Sequence, residues 1–237
     1  MRLPKRGEVG VREKPELHPL RVPERARQQR VRREYGQNVF INCPFDIAYS
    51  PIFKAIVFAV HDMGFRPRCA LEARNAGQFR LDKILEIIAQ CRYSIHDLSR
   101  TQVDRKTRLP RFNMPFELGL DLGCKKFGSA FQREKVSLIL DVDRYRYQKF
   151  ISDIAGQDID AHNGDPRKVI IIVRNWLRLE LDPLKVITPG GKQIAKRYDQ
   201  FRRALPVICS KLNWDTNTLP FADFSTAVAI WIKANPL

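Results

Sequence analysis

Short apolar runs alternate with amphipathic stretches between residues 38 and 179, and this alternation is the strongest constraint on the fold. The run VSLILDV at 136–142 is apolar on both faces, as expected of a strand that is covered on both sides. The pattern predicts strands at 38–43, 65–71, 93–98 and 136–142, and helices at 51–63, 81–91, 115–126 and 165–179. Residues 150–161 are ambiguous between a short helix and an edge strand.

Strands that alternate with helices form parallel sheets with helices on both faces. The sequence therefore predicts a flavodoxin-like α/β sandwich with a parallel sheet of about five strands. After residue 182 the pattern becomes helical only, which indicates a C-terminal helical appendix at 183–237. Four large aromatic residues in this appendix should be buried against the sheet domain or a partner chain: Trp214, Phe221, Phe224 and Trp231.

The N-terminal segment differs from the rest of the chain in charge and composition. Residues 1–36 hold eleven basic and five acidic residues with four prolines, which is typical of a basic arm that is disordered or loosely helical. The whole chain of 237 residues carries a net charge of +16. We therefore expect three regions: the arm at 1–36, the α/β domain at 37–182 and the appendix. The surplus charge favours anionic partners, including nucleic acid bound through the arm, without choosing among them.

Several classes of protein are disfavoured by what the sequence lacks. The longest apolar runs, 55–60 and 169–173, are far shorter than a membrane span, and no apolar segment follows the basic N-terminus as in a secretory signal. The five cysteines show no CxxC pairing, as expected of reduced thiols in a cytoplasmic protein. Phosphate-binding glycine loops, zinc-ligand spacings and the GxSxG elbow are absent, so no metal and no bound cofactor are expected.

Three segments should meet at the carboxyl edge of a parallel sheet, where open α/β folds bind ligands: 42–46, 96–100 and 111–117. Glu117 is predicted in the first turn of a helix, where the helix dipole favours a carboxylate, although glutamate is also common there without a function. Asp97 ends an apolar strand and is equally compatible with a role as a cap for the next segment. His96 should point to the opposite face as a satisfied, partly buried histidine, and Asn113 could cap the helix that follows it.

The segment SIHDLS…RFNMPFELGLDLG resembles the strand-end aspartate and helix-borne glutamate of the nucleoside 2-deoxyribosyltransferases. It is also similar to the Toll/interleukin-1 receptor (TIR) domains that cleave NAD, and VFINCPFD resembles the first strand and loop of both groups. The resemblance covers roughly residues 38–180 and implies Glu117 as the catalytic glutamate and Asp97 as the strand-end aspartate. It also implies substrate contacts from Asn42, Pro44 and Phe45, and more loosely from Asn113. The sequence differs in having Cys-Pro-Phe in the first loop and a long basic stretch at 100–111.

The resemblance implies an N-glycosidase that acts on NAD or a related nucleotide as substrate, as a toxic effector in bacterial defence. A carboxylate such as that of Glu117 would stabilise the positive charge that develops on the sugar, or attack it. Nicotinamide leaves NAD as a neutral molecule, whereas a neutral nucleoside needs a proton donor, for which Asp97 is the candidate. Four arginines are candidates for holding phosphates, with solvated surface charge as the alternative for each: Arg68, Arg80, Arg100 and Arg111.

Two other classes of function remain open from the sequence. One is a non-catalytic nucleotide-binding or signalling module that uses the same cleft as a sensor. The other is a nucleic-acid-binding protein that uses the basic arm and the basic stretch at 192–211. Assembly into a homo-oligomer or with a partner protein is compatible with all three.

Overall fold

A computed structural model of the protein describes residues 24–72, 76–101, 108–109 and 111–237. Five parallel strands form one sheet in the order β2-β1-β3-β4-β5: β1 (Asn38–Asn42), β2 (Arg66–Arg68), β3 (Tyr93–Asp97), β4 (Val136–Asp141) and β5 (Ile159–Ala161). The strand order reverses next to β1, so the fold is the predicted flavodoxin-like α/β sandwich.

Helices cover both faces of this sheet. The described helices are α1 (Glu24–Tyr35), α2 (Ser50–Asp62), α3 (Arg80–Ala89), α4 (Asn113–Phe127), α5 (Pro166–Leu179), α6 (Gly191–Lys211) and α7 (Phe221–Ala234). Alternate residues of β1 divide the core between the faces: Val39 and Ile41 belong to the cluster with α2 and α5, and Phe40 to the cluster with α3. The part of the chain that the structure describes contains no helix long and apolar enough to cross a membrane.

Two predicted elements differ in extent from their sequence interpretation. The second strand was expected at 65–71 but spans only Arg66–Arg68, at the edge of the sheet. Pro67 cannot donate a backbone hydrogen bond, which edge strands tolerate. The ambiguous stretch contains a 3-10 turn at Ser152–Ile154 and the edge strand β5.

The helical appendix packs on the outer side of α2 and α5 and shares their core. Phe221, Phe224 and Trp231 are buried, as predicted, whereas Trp214 is only partly buried and packs against the same cluster. Arg197 of α6 makes a two-pronged ion pair with Asp62 of α2, with the shortest N–O distance at 2.8 Å. The appendix is therefore joined to the sheet domain by apolar packing and by a buried charged contact.

Part of the N-terminal segment is a regular helix. Helix α1 occupies Glu24–Tyr35, and residues 1–23 lie outside the described residues. Most of α1 is exposed, but Tyr35 is buried, and its ring lies 3.8 Å from that of Phe131 between centroids. The Tyr35 hydroxyl donates to the Phe131 carbonyl at 3.0 Å. The C-terminal end of α1 is thus anchored to the domain, beyond what the composition predicted.

Candidate functional site

A cleft of about 520 Å³ opens at the carboxyl edge of the sheet, between the loop after β1 and the start of α4. This volume is in the usual range for small-molecule sites. The side chains that line it are Asn42, Cys43, Pro44, Phe45, Asp46, Leu71, Arg80, Arg111, Asn113, Met114 and Glu117. Two of the three predicted segments, 42–46 and 111–117, therefore meet here. The segment 96–100 does not line the cleft.

Glu117 is the acidic side chain of the cleft that has no protein partner. It is 7 % exposed, and no hydrogen bond or ion pair reaches its carboxylate from any residue that the structure describes. Burial raises the pKa of Glu117 to about 7, against the opposing charge of Arg80. Helix α4 begins at Asn113, so Glu117 lies in the second turn rather than the predicted first one. Its charge is therefore governed by burial in the cleft more than by the helix dipole.

A buried polar network holds the first turn of α4 against the sheet. The Asn42 side chain donates to the Met114 carbonyl at 2.9 Å and lies 3.0 Å from His96 Nδ1. Because the amide nitrogen of Asn42 donates, His96 accepts at Nδ1 and carries its proton on Nε2. That nitrogen donates to Asp121 at 3.1 Å. Asn42 thus both lines the cleft and ties the Glu117 helix to β1 and β3.

Asp121 lies one turn beyond Glu117 on the same helix face and anchors this network. It accepts from Ser94 at 2.6 Å and pairs with the fully buried Lys135 at 3.0 Å. Burial opposes ionisation of Asp121, but the contacts with His96, Lys135 and Ser94 prevail and hold its pKa well below the usual range. The same helix face therefore carries one carboxylate held by hydrogen bonds and an ion pair and one without either among the described residues.

Cationic side chains stand on one part of the cleft wall. Arg111 contacts Asp46 at 3.3 Å, and Arg100 reaches the same carboxylate at 3.5 Å. Arg80 lines the cleft and is exposed, with no hydrogen bond or ion pair to any described residue. Of the four candidate phosphate ligands, Arg80 and Arg111 are therefore in the cleft. Arg68 instead pairs with Glu72 at 2.7 Å.

Asp97 is placed away from the cleft, in contrast to its predicted partnership with Glu117. It is fully buried, and it accepts hydrogen bonds from the Tyr49 hydroxyl at 2.5 Å and the Ser99 amide at 2.8 Å. His162 Nε2 lies 3.0 Å away. Burial disfavours its charge, yet these donors lower the pKa of Asp97 below its ordinary value. The bond to Ser99 is the capping role that the sequence offered as the alternative, and Asp97 does not line the cleft.

The grouping of Ser99, His162 and Asp97 does not form a catalytic triad. The Gly164 amide donates to His162 Nδ1 at 3.0 Å, so the imidazole proton is on Nε2. That nitrogen faces both Asp97 and the Ser99 hydroxyl, the latter at 2.9 Å. A triad requires the two ring nitrogens to serve different partners. This buried cluster therefore joins the ends of β3 and β5.

The remaining predicted contacts lie on the cleft wall. Pro44, Phe45 and Asn113 all line it, as expected if they contact a substrate. Asn113 does not cap α4, because Phe112 occupies the N-cap position and makes no side-chain cap hydrogen bond. Cys43 is also present, but burial, reinforced by nearby Asp97, raises the pKa of its thiol well above the usual range. Cys43 is therefore a poor nucleophile.

Sequence reasoning missed the residues that position the site, namely Asp121, Lys135 and the pairing of Asn42 with His96. Two signals were present. Glu117 and Asp121 have the i, i+4 spacing of one helix face, and Ser94 and His96 share one face of the predicted strand at 93–98. A polar row on one face of a buried strand indicates a polar partner on the covering helix.

Comparisons with protein-family models, with curated proteins and with solved structures found no match to this chain. Among the described residues there is also no cluster of three or more histidine, cysteine or acidic side chains that could hold a metal ion. The fold and the cleft therefore define the class as a flavodoxin-like α/β protein with a carboxylate-bearing cleft at its topological switch point.

Proposed function

We propose that this protein is an N-glycosidase that cleaves the N-glycosidic bond of NAD or a related nucleotide in the cleft at Glu117. The observation that carries the proposal is the Glu117 carboxylate, which faces a ligand-sized cleft without a protein partner and has a pKa of about 7. A buried carboxylate without a partner is unfavourable for stability, so its position in a cleft favours a chemical role.

In the proposed mechanism the sugar lies over Glu117, and the phosphates lie toward Arg80 and Arg111. As the glycosidic bond breaks, positive charge develops on the ring, and the ionised carboxylate stabilises it or bonds to it transiently. Water then completes the hydrolysis. The low polarity around Glu117 strengthens this charge interaction relative to water.

The absence of a free second acid in the described cleft wall favours NAD over neutral nucleosides. Asp46 is engaged by Arg100 and Arg111, and Asp97 is enclosed by its own donors. A neutral nucleoside needs its base protonated as it leaves, whereas the nicotinamide of NAD leaves from a cationic bond and needs no proton. The substrate that fits one free carboxylate is therefore one with a cationic leaving base.

The test is a paired assay of base release and ligand binding by wild type and Glu117→Gln. Incubation with NAD and with a panel of nucleosides, followed by mass identification of the released bases, measures activity. We expect turnover of NAD to fall roughly 10²–10³-fold in the variant, the range for loss of one electrostatic stabiliser. Calorimetric affinity for NAD should change little, because the charge acts mainly on the transition state.

The matched control is Glu86→Gln on the exposed side of α3, where the carboxylate accepts a hydrogen bond from Gln78 and from no other residue that the structure describes. It should retain full activity. Full base release by the Glu117 variant would refute the proposal. Nucleotide binding without any base release by wild type would replace it with the sensor hypothesis. As a toxic effector, the wild type would also arrest bacterial growth when expressed, and the Glu117 variant would not.

Nucleic-acid binding is the second candidate, and α1 is the observation that favours it. The helix carries five arginines, all largely exposed: Arg25, Arg27, Arg30, Arg32 and Arg33. Such a density of exposed positive charge is suited to phosphate contacts with a polynucleotide, whose affinity falls steeply with salt. Replacing these arginines with glutamine should abolish salt-dependent polynucleotide binding under this candidate and leave base release unaffected under the first.

A further inference from the structure

A second, smaller cavity of about 200 Å³ adjoins the cleft on the side of the helical appendix. The two cavities share four wall residues, Pro44, Phe45, Asp46 and Leu71. The far wall of the smaller cavity, which we name the side chamber, is formed by Leu219 and the first turn of α7. The appendix therefore contributes directly to the space around the candidate site.

Aromatic rings form much of the side-chamber wall. The ring centroids of Phe45 and Phe53 lie 5.3 Å apart in an edge-to-face arrangement, and Phe221 lies 5.8 Å from Phe53. Phe224 is also in the wall, and the Lys54 ammonium lies 5.7 Å from its ring centroid. Such a wall favours a flat aromatic guest that stacks or packs edge-on. The Lys54 charge disfavours a cationic guest and is compatible with a neutral heterocycle.

The chamber is large enough for such a group. An apolar cavity of roughly 150 Å³ accommodates a benzene ring, so the larger side chamber admits a bigger planar ring. The main cleft, with Glu117 and Arg80, is open beside it. The two cavities differ in their charged side chains: Glu117, Arg80 and Arg111 line the main cleft, Lys54 lines the side chamber, and Asp46 lines both.

We propose that the side chamber is a binding subsite for the neutral base of a dinucleotide, and that the scissile glycosidic bond lies at Glu117 in the main cleft. The position of the scissile bond at Glu117 rests on the proposed function, whereas the position of the neutral base in the side chamber does not. The neutral purine occupies the aromatic wall near Lys54, and the cationic base lies where the carboxylate is. Residues of the appendix, Leu219 and Phe224, therefore select the substrate class.

The test fills the chamber without touching the main cleft. Leu219 lies in the loop before α7 and lines the side chamber but not the main cleft, so Leu219→Trp occupies the side chamber. Ile230→Trp, on an exposed position of α7, is the matched control. Affinities are measured by calorimetry in the Glu117→Gln background, which prevents turnover, with NAD, AMP and nicotinamide mononucleotide as probes.

We expect Leu219→Trp to weaken binding of NAD and AMP by at least about tenfold, the scale of losing one stacked base. Affinity for nicotinamide mononucleotide should stay within about twofold, and the control should change none of the three affinities. Leu219→Phe fills less space and should have an intermediate effect, which guards against misfolding of the larger variant. Unchanged NAD and AMP binding, or equal loss of all three probes, would overturn the subsite.

The outcome is separable from that of the proposed function. Base release by wild type with unchanged binding in the Leu219 variants refutes the side chamber and leaves the glycosidase intact. Selective loss of NAD and AMP binding in a protein that releases no base supports the side chamber and refutes the glycosidase.

Discussion

Asp97 and Glu117 are two buried carboxylates near the same edge of the sheet, and their surroundings differ in one respect that decides their chemistry. Asp97 is enclosed by hydrogen-bond donors from Tyr49, Ser99 and His162. Glu117 has no such donor among the described residues and faces the cleft. Burial disfavours the charge of both groups, but only Asp97 receives compensating hydrogen bonds, and the charge of Arg80 offsets the burial of Glu117 only in part.

The comparison teaches that position at the end of a strand or the start of a helix does not by itself identify a reactive acid. The pKa of Asp97 is lowered by its donors, whereas burial raises that of Glu117 to about 7. A carboxylate whose hydrogen bonds are already made stabilises the fold, and one whose bonds remain to be made can serve a ligand. Stability and activity should therefore respond to different substitutions.

The largest expected effect on stability is that of Asp97→Asn. The amide keeps the volume but removes the charge and presents a donor to Tyr49, Ser99 or His162, so we expect a loss of about 2–4 kcal/mol in the free energy of unfolding at pH 7. Urea denaturation measures this loss. Tyr49→Phe removes a single bond and should cost about 1–3 kcal/mol.

The exposed Asp153→Asn is the control and should change stability by less than about 0.5 kcal/mol. The pH dependence gives a further check. Because the folded pKa of Asp97 is lowered, its contribution is present above the unfolded value of about 3.9 and is lost as the pH falls through the folded value. A cost below about 1 kcal/mol at pH 7 would show that the donors around Asp97 do not stabilise its charge.

Much of the fold could be predicted from the sequence because its signals are local. The run at 136–142 is apolar on both faces, and Asp165 followed by Pro166 marks a helix start. In the structure these are β4 and α5, and the Asp165 side chain accepts from the Arg167 amide at 2.8 Å. The length of β2 was overestimated, because the residue types at 65–71 do not show that this strand lies at the edge of the sheet and pairs with a neighbour on only one side.

The site was predicted less completely, because its decisive features depend on contacts between distant parts of the chain. Glu117 stood out by its motif, but whether a donor reached it could not be known from spacing. Asp97 and His162 are 65 positions apart in the sequence, and only folding brings them to 3.0 Å. The side-chamber wall likewise joins Phe45 to Phe221 of the appendix.

A smaller effect, of opposite sign, is expected for the stability of Glu117→Gln. The folded pKa of about 7 lies above the ordinary value of 4.5, so stability that the protonated acid provides is present below about 4.5 and lost as the pH rises through 7. Glutamine resembles the protonated form at every pH. The variant should therefore gain about 1–3 kcal/mol relative to wild type between pH 4.5 and pH 8.

Thermal unfolding of both proteins across this range measures the gain. Glu86→Gln should give parallel curves for variant and wild type. If the difference in stability between Glu117→Gln and wild type were constant with pH, or fell toward pH 8, other groups in the protein would have to stabilise the Glu117 carboxylate. The contrast with Asp97 would then fail.

The smallest expected effect concerns the cation that faces Glu117. Arg80 lowers the pKa of Glu117 against the larger effect of burial. Because Arg80 is exposed, solvent screens its charge, and Arg80→Gln should raise that pKa by only about 0.1–0.7. A ¹³C NMR titration of the Glu117 carboxyl carbon measures it directly, without reference to activity. Arg68→Gln is the matched control. The Arg68 guanidinium is held by Glu72 and Gln90, so this variant should leave the titration unchanged.

An unchanged or lowered pKa of Glu117 in the Arg80 variant would show that this arginine does not affect the electrostatic environment of Glu117. It would also remove the reason for placing an anionic part of the ligand beside the carboxylate. A rise in the pKa of Glu117 that occurs in Arg80→Gln alone would show that a charge across the cleft affects Glu117, whereas hydrogen-bond donors affect Asp97. A ligand in the cleft can displace or complete such an interaction.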